Sequence, residues 1–135
     1  MAVAFGQPWA LLGDFNITRL VEESLGGNRR TSQAIIDFNL FIDEAELDDL
    51  RFVGSFYSWS NKQGDNPILK KLDRVLVSQE WITKFPNSGA NFLSSILSDH
   101  VVCFVFGNFS SSQRRFPFRF FDFWTEADDF MRIVS

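Results

Sequence analysis

Apolar residues in this chain come in short runs, and each run stops at a polar group. Trp9 to Phe15 (WALLGDF) is nearly continuous, broken by Gly13, and passes into a polar stretch at Asp14 to Thr18. Ser55 to Ser60 (SFYSWS), Leu69 to Ser78 (LKKLDRVLVS), Phe92 to Leu97 and Val101 to Phe106 (VVCFVF) follow the same plan. Runs of this length are strands rather than membrane spans, which need about 20 apolar residues. One segment has a different period. Ile35, Phe38, Ile42 and Ala45 fall at three- and four-residue steps, one face of a helix that Thr31 or Ser32 can cap. Strands and helices therefore mix along the chain, and the predicted class is α/β (α+β) with a substantial sheet.

Between these elements lie turn formers. Leu25 to Thr31 (LGGNRRT) reads as a surface loop, Arg51 to Gly54 as a turn and Asn61 to Pro67 (NKQGDNP) as a hairpin-type loop. Ser78-Gln79-Glu80-Trp81 marks a helix start, and Lys70 and Lys71 suit an edge or a solvated face. Beyond Gly107 the composition shifts to a polar linker and then a tail, Phe116 to Phe130, with six Phe and one Trp.

Counts exclude several functions. A single His and a single Cys cannot build a four-ligand structural zinc site, nor an internal disulfide framework. A Cys-His protease would have only Cys103, and any catalysis by histidine must use His100. Seventeen acids against 13 bases give a net charge of -4. That excludes grip on nucleic acid by bulk charge, so any phosphate contact must be local. Met1 to Trp9 lacks a basic stretch followed by a long apolar one, and the expected setting is intracellular, cytoplasm or nucleus, with no membrane partner. Two glycosylation-like triplets, at Asn16 and Asn108, then read as chance matches.

Three polar groups stand beside strands: Gly13-Asp14-Phe15-Asn16, Leu72-Asp73-Arg74 and Ser98-Asp99-His100. In an extended segment Asp14 and Asn16 point to one side and could hold a water and a phosphate oxygen together. His100 needs a carboxylate to fix its tautomer. Asp99 is adjacent and points the other way in an extended chain, so Asp73, from another strand, is the better partner. Plainer readings stand beside these. Asp14 and Asn16 suit turns, and Asp73 and Arg74 could be structural charges. Tyr57 and Trp59 suit packing as well as base stacking. Arg29, Arg30, Lys70 and Lys71 suit solvated surface as well as DNA phosphates.

The motifs PWALLGDFN (Pro8 to Asn16), FYSWSN (Phe56 to Asn61), KLDRVLVS (Lys71 to Ser78) and LSDHVVCF (Leu97 to Phe104) occur in this order. Together they resemble the endonuclease/exonuclease/phosphatase superfamily. Trp-Ser-Asn at 59 to 61, Leu-Asp-Arg at 72 to 74 and the tail FRFFDFWTEADDF (Phe118 to Phe130) look like plant LINE-type (non-LTR) retrotransposon proteins, where such a tail leads to a reverse transcriptase. The resemblance implies a four-layer α/β/β/α sandwich and metal-assisted hydrolysis of a phosphodiester, with Mg2+ stabilising oxygen charge. It implies that Asp14 orients or deprotonates the attacking water, Asn16 holds the scissile phosphate, and His100 stabilises developing charge. Asp73 would hold His100, and Asp99 would lie near the metal or its waters. Ser58 would sit at the substrate phosphate, and Ser98 would precede the Asp-His pair as the family pattern expects.

The full domain of this family is roughly twice this length, near the upper end of ordinary domain sizes. Its N-terminal half carries the main metal-ligand Glu, an Asn near the first strand and a catalytic Tyr. Residues 1–108 are thus expected to be the C-terminal half of such a domain, and 109–135 the linker and Phe-rich tail. Asp14 and Asp99 would contribute to an incomplete Mg2+ site. The implied function is DNA phosphodiester hydrolysis, weak or lost in the chain alone. The implied partners are DNA and the missing half or a reverse transcriptase domain. Two alternatives remain: a non-catalytic interaction or self-associating module, and a phosphatase or lipid phosphodiesterase of the same superfamily.

Overall fold

A computed structural model of the chain describes residues 6–109. The Phe-rich tail and nearly all of the 109–135 segment lie outside the described residues. The elements run β1 (Ala10–Asp14), a 3-10 turn (Val21–Glu23), β2 (Ser24–Leu25), α1 (Gln33–Glu44), β3 (Leu47–Asp49), β4 (Phe52–Gly54) and β5 (Trp59–Ser60). Then come β6 (Leu69–Lys70), β7 (Asp73–Ser78), α2 (Gln79–Lys84), β8 (Gly89–Leu93) and β9 (Val102–Phe106).

Among the described residues three small sheets form, ordered β1-β7-β3, β2-β6-β5 and β4-β8-β9. β7 is the central member of the first. Antiparallel β1 and β3 flank it, with Leu11 opposite Leu76 and Asp14 opposite Asp73. Its side chains alternate between two cores, which is why its run of apolar residues is nearly unbroken. Val75 and Val77 meet Leu50, Ala90 and Phe92, so one face packs toward the β4-β8-β9 sheet. Leu76 meets Ile42 and Leu47, with Phe38, Leu11 and Trp9 around them, so the other face packs toward α1. The described residues thus stack a helix on a sheet on a second sheet, and the fold is α+β.

α1 forms as its periodicity predicts. Ser32 is the N-cap, its Oγ accepting from Ile35 N, and Ile35 and Ile42 are the buried stripe. Ser78 caps α2 the same way by accepting from Trp81 N. Phe109 packs its ring against Trp81 and Phe85.

Several expectations change. The stretch Leu69 to Ser78 is two strands in different sheets. The backbone amides of Leu72 and Asp73 both donate to Ser58 Oγ, which pulls the chain out of one sheet before it enters the next. This break turns Lys71 inward. Instead of lying on a solvated face, Lys71 is buried, with Nζ 3.5 Å from the centre of the Phe52 ring. Burial, helped by the nearby Arg74 cation, pushes its pKa down.

Arg51 to Gly54 is not a turn, because Phe52–Gly54 pairs in parallel with β8. Gly54 ends that strand at φ 92°, where a side chain would strike the Phe92 carbonyl oxygen. In Ser55 to Ser60 only Trp59 and Ser60 join a ladder. The run Phe92 to Leu97 leaves its sheet after Leu93. Ser95 Oγ accepts from Leu97 N and Ser98 N, a local turn that leaves Ile96 and Leu97 in solvent.

Candidate active site

Backbone pairing assembles the site. Phe15 N donates to the Leu72 carbonyl, which fixes the end of β1 beside the start of β7. That register sets Asp14 directly across from Asp73. A bridge between Trp59 and His100, with Val101 N donating to the Ser58 carbonyl, lays the third polar group against the same place.

Two carboxylates facing each other across a ladder repel. His100 relieves this. Its Nδ1 lies 2.9 Å from Asp73 Oδ2, and its Nε2 lies 3.8 Å from Asp14 Oδ2. The tautomer that fits carries a proton on Nδ1, donated to Asp73. The hydrogen bond to Asp73 raises the His100 pKa above its ordinary value of 6.5. Partial burial opposes the rise, while the charges of Asp73, Asp14 and Asp99 add to it. The 3.8 Å gap between Nε2 and Asp14 is too long for a hydrogen bond and sits at the solvent-facing side of a one-third-exposed pair.

Asn16 follows Asp14 in a tight turn. Asp14 Oδ1 accepts from Asn16 N at 2.8 Å, and Asn16 has φ 54°, a left-handed conformation that Asn tolerates. The two residues are therefore held by a turn, not by the extended segment that alternation alone suggests.

Other predicted residues sit differently. Asp99 turns its Oδ2 to the Trp59 indole N–H at 3.1 Å. Ser98 Oγ accepts from His100 N at 3.1 Å and so shapes the approach to the histidine. Ser58 is 1% exposed, and its Oγ accepts from Leu72 N and Asp73 N at 2.8 and 2.7 Å. It sets the position of Asp73 from beneath, and it lines the same pocket as Ser98, Asp99 and His100. For Trp59 the sequence offers packing or base stacking, not this contact with Asp99. Its signal is present in the Trp-Ser-Asn motif, but only the fold shows that its N–H anchors Asp99.

Glu23 escapes sequence reasoning too, since it lies outside every motif. It is buried and pairs with Arg74, the residue after Asp73. Arg74 also grips both oxygens of Asp49 at 3.0 and 2.9 Å, and Arg19 reaches Asp49 from the other side at 3.0 Å. Arg74 therefore points away from the site and anchors β7 to neighbouring elements.

A divalent cation makes definite demands on such a donor set. Mg2+ asks for near-octahedral oxygen ligands, usually one or two carboxylates plus waters and substrate phosphate. Here Asp73 is committed to His100, Asp99 to Trp59, and one oxygen of Asp14 to a backbone amide. Among the described residues no three His, Cys, Asp or Glu side chains converge as ligands. These side chains as placed do not complete a Mg2+ site, and an incomplete one, with Asp14 and Asp99 contributing, is all that the sequence leads one to expect.

No curated protein and no solved structure matches the chain. The Endonuclease/Exonuclease/phosphatase family matches residues 1–100, a span that holds Asp14, Asn16, Asp73, Asp99 and His100. With that match over most of its length, the chain belongs to the Endonuclease/Exonuclease/phosphatase family.

Proposed function

We propose that this chain is the C-terminal half of a DNA endonuclease domain of the LINE retrotransposon type, and that it hydrolyses phosphodiesters once the domain is completed. Nuclease- or phosphatase-like hydrolysis is the chemistry of its family, whose members generally depend on a divalent metal. The observation that carries the reading is the Asp73–His100–Asp14 line, with His100 held at Nδ1 and its Nε2 facing Asp14. Asp14 accepts a proton from, or orients, the attacking water. Asn16 presents its amide to the scissile phosphate. His100, kept protonated to higher pH by Asp73, offers an N–H to oxygen charge as it develops. Asp73 acts through His100 as a positioning residue, and Ser58 acts through Asp73.

Such a donor set leaves the metal to further carboxylates, which the N-terminal half of such a domain would bring. Nicking of supercoiled plasmid in Mg2+ tests this. The chain alone is expected to nick weakly or not at all. Fusion to the N-terminal half of a LINE-type endonuclease domain is expected to restore nicking that His100→Ala abolishes. Robust nicking by the unfused chain would overturn the half-domain reading, and an inactive fusion would overturn the endonuclease reading.

One observation favours a second reading. Val102, Phe104 and Phe106 alternate along one side of β9 and are 57%, 44% and 39% exposed, an apolar stripe on a sheet edge. A chain acting as an interaction or self-associating module would use that stripe. Light scattering that finds a stable monomer with no binding of aromatic dyes would count against it.

A further inference from the structure

Arg29, Arg30 and Lys70 are far apart in sequence, and the fold brings them to one cleft. The cleft holds about 320 Å³ and is also lined by Asn16, Thr18 and Asn28. Among the described residues that line it, none is acidic. This is unusual for a chain of net charge -4. Other cations of this region are consumed internally, Arg19 by Asp49 and Arg74 by Asp49 and Glu23. Among the described residues none of Arg29, Arg30 and Lys70 has a carboxylate partner. The cleft wall is also built rather than loose. The loop turns at Gly26, at φ 74°, where any side chain would strike the Pro67 carbonyl oxygen. Arg29 Nε donates to the Val21 carbonyl at 3.4 Å, which aims its stem along the wall. Ser32, the cap of the twelve-residue helix α1, lines the cleft as well, and the first turn of α1 carries no acid to neutralise its N–H groups.

We infer that this cleft is a phosphate-tracking subsite that holds the backbone of a nucleic-acid strand next to the phosphate at Asn16. Asn16 belongs to both places, so a strand whose scissile phosphate lies at Asp14, Asn16 and His100 continues directly into the cleft. Arg and Lys supply the charge, and the amide and hydroxyl groups of Asn28 and Thr18 supply sequence-independent hydrogen bonds. A monophosphate would fill only one end of it. The inference rests on the DNA endonuclease reading and adds to it the surface that holds the strand beyond the scissile phosphate.

Fluorescence anisotropy with a labelled DNA duplex, in EDTA so that turnover plays no part, tests the subsite separately from catalysis. Arg29→Ser, Arg30→Ser and Lys70→Ala are combined, with Lys84→Ala on α2 as the control and circular dichroism to confirm folding. Every cation withdrawn from a phosphate flattens the slope of log affinity against log salt by about 0.9, so the triple variant is expected to flatten it by up to about 2.7. Lys84→Ala is expected to leave the slope unchanged, and excess inorganic phosphate is expected not to displace the duplex. An unchanged slope in the triple variant overturns the subsite, as does equal competition by inorganic phosphate. Should the variant be poorly folded, protection of Arg29 and Arg30 from phenylglyoxal by the duplex in the native chain decides, and absence of protection overturns it. Duplex binding without any nicking by the completed domain would instead fault the catalytic reading and leave the subsite standing.

Discussion

Replacing Arg74 by Met should be among the most damaging changes in the chain, and the structure says by how much. The Arg74 side chain is fully buried, pairs with Glu23 and grips both oxygens of Asp49. Among the described residues its Nε has no partner, so the ion cluster already carries one unmet donor. Met keeps most of the volume and removes the charge, which leaves two carboxylates around an apolar side chain. Breaking a buried pair by removing one member costs about 3–5 kcal/mol. The low end applies here, because each acid keeps some support. Glu23 still accepts from the amides of Arg19 and Leu20 at 2.7 and 3.3 Å, and Asp49 still pairs with Arg19 at 3.0 Å. The expected loss is therefore about 3 kcal/mol, a large share of the roughly 5–15 kcal/mol that holds a domain folded. At roughly 4–8 °C per kcal/mol for a domain near this size, Tm should fall by more than about 10 °C. Urea denaturation measures it directly. Adding Glu23→Gln to Arg74→Met removes the stranded charge and should recover about 1 kcal/mol, an interaction within the range seen for contacting residues. A loss under about 1 kcal/mol would place the cluster among solvent-screened surface pairs and refute the argument. Strict additivity of the two changes would refute the coupling.

Further outcomes concern His100, Ser58 and Cys103. The chain has one His, so its NMR titration is unambiguous, and the His100 pKa should lie above 6.5. Because the folded pKa is raised, the stabilisation from protonated His100 is complete below 6.5 and is lost as pH rises through the folded value, and His100→Gln should flatten that slope in urea midpoints. Ser58→Ala strands the amides of Leu72 and Asp73, and should cost about 1–3 kcal/mol while broadening the His100 titration, whereas a substrate-only role would leave both unchanged. Burial pushes the Cys103 thiol above its ordinary value of 9.0, so iodoacetamide should alkylate it several-fold more slowly than free cysteine, with denaturant abolishing the difference.

Local signals in the sequence reach some of this and not the rest. The helix 33–44 and both serine caps are legible because period and capping act within a few residues. The three polar groups are legible as motifs, and alternation along a strand points from His100 toward Asp73 rather than Asp99. What is not legible depends on contacts distant in sequence. Lys71 follows a lysine and looks solvated, but a hydroxyl far earlier in the chain, at Ser58, breaks the strand just after it and turns it onto Phe52. Gly54 carries a turn signal, yet its real constraint is the Phe92 carbonyl across a parallel pair. Glu23 has no motif at all, and only the approach of β7 brings it the Arg74 cation.

The opposition of Asp14 and Asp73 ties fold and site together. Register alone would make this pair a fault, since like charges directly across a ladder destabilise it. The fold keeps it by placing one imidazole where it answers both carboxylates, and by using Ser58 to hold the strand at that height. A pair kept only for stability would be served better by one acid and one neutral residue. Asp73→Asn should therefore leave the chain folded, because it removes the repulsion along with the charge. It should also lower the His100 pKa, because the carboxylate that accepts Nδ1–H is its largest cause. In the completed domain the same change should cut nicking far more than stability. Equal losses in both would mean that Asp73 serves the sheet alone, and that the arrangement with Asp14 has no chemical purpose.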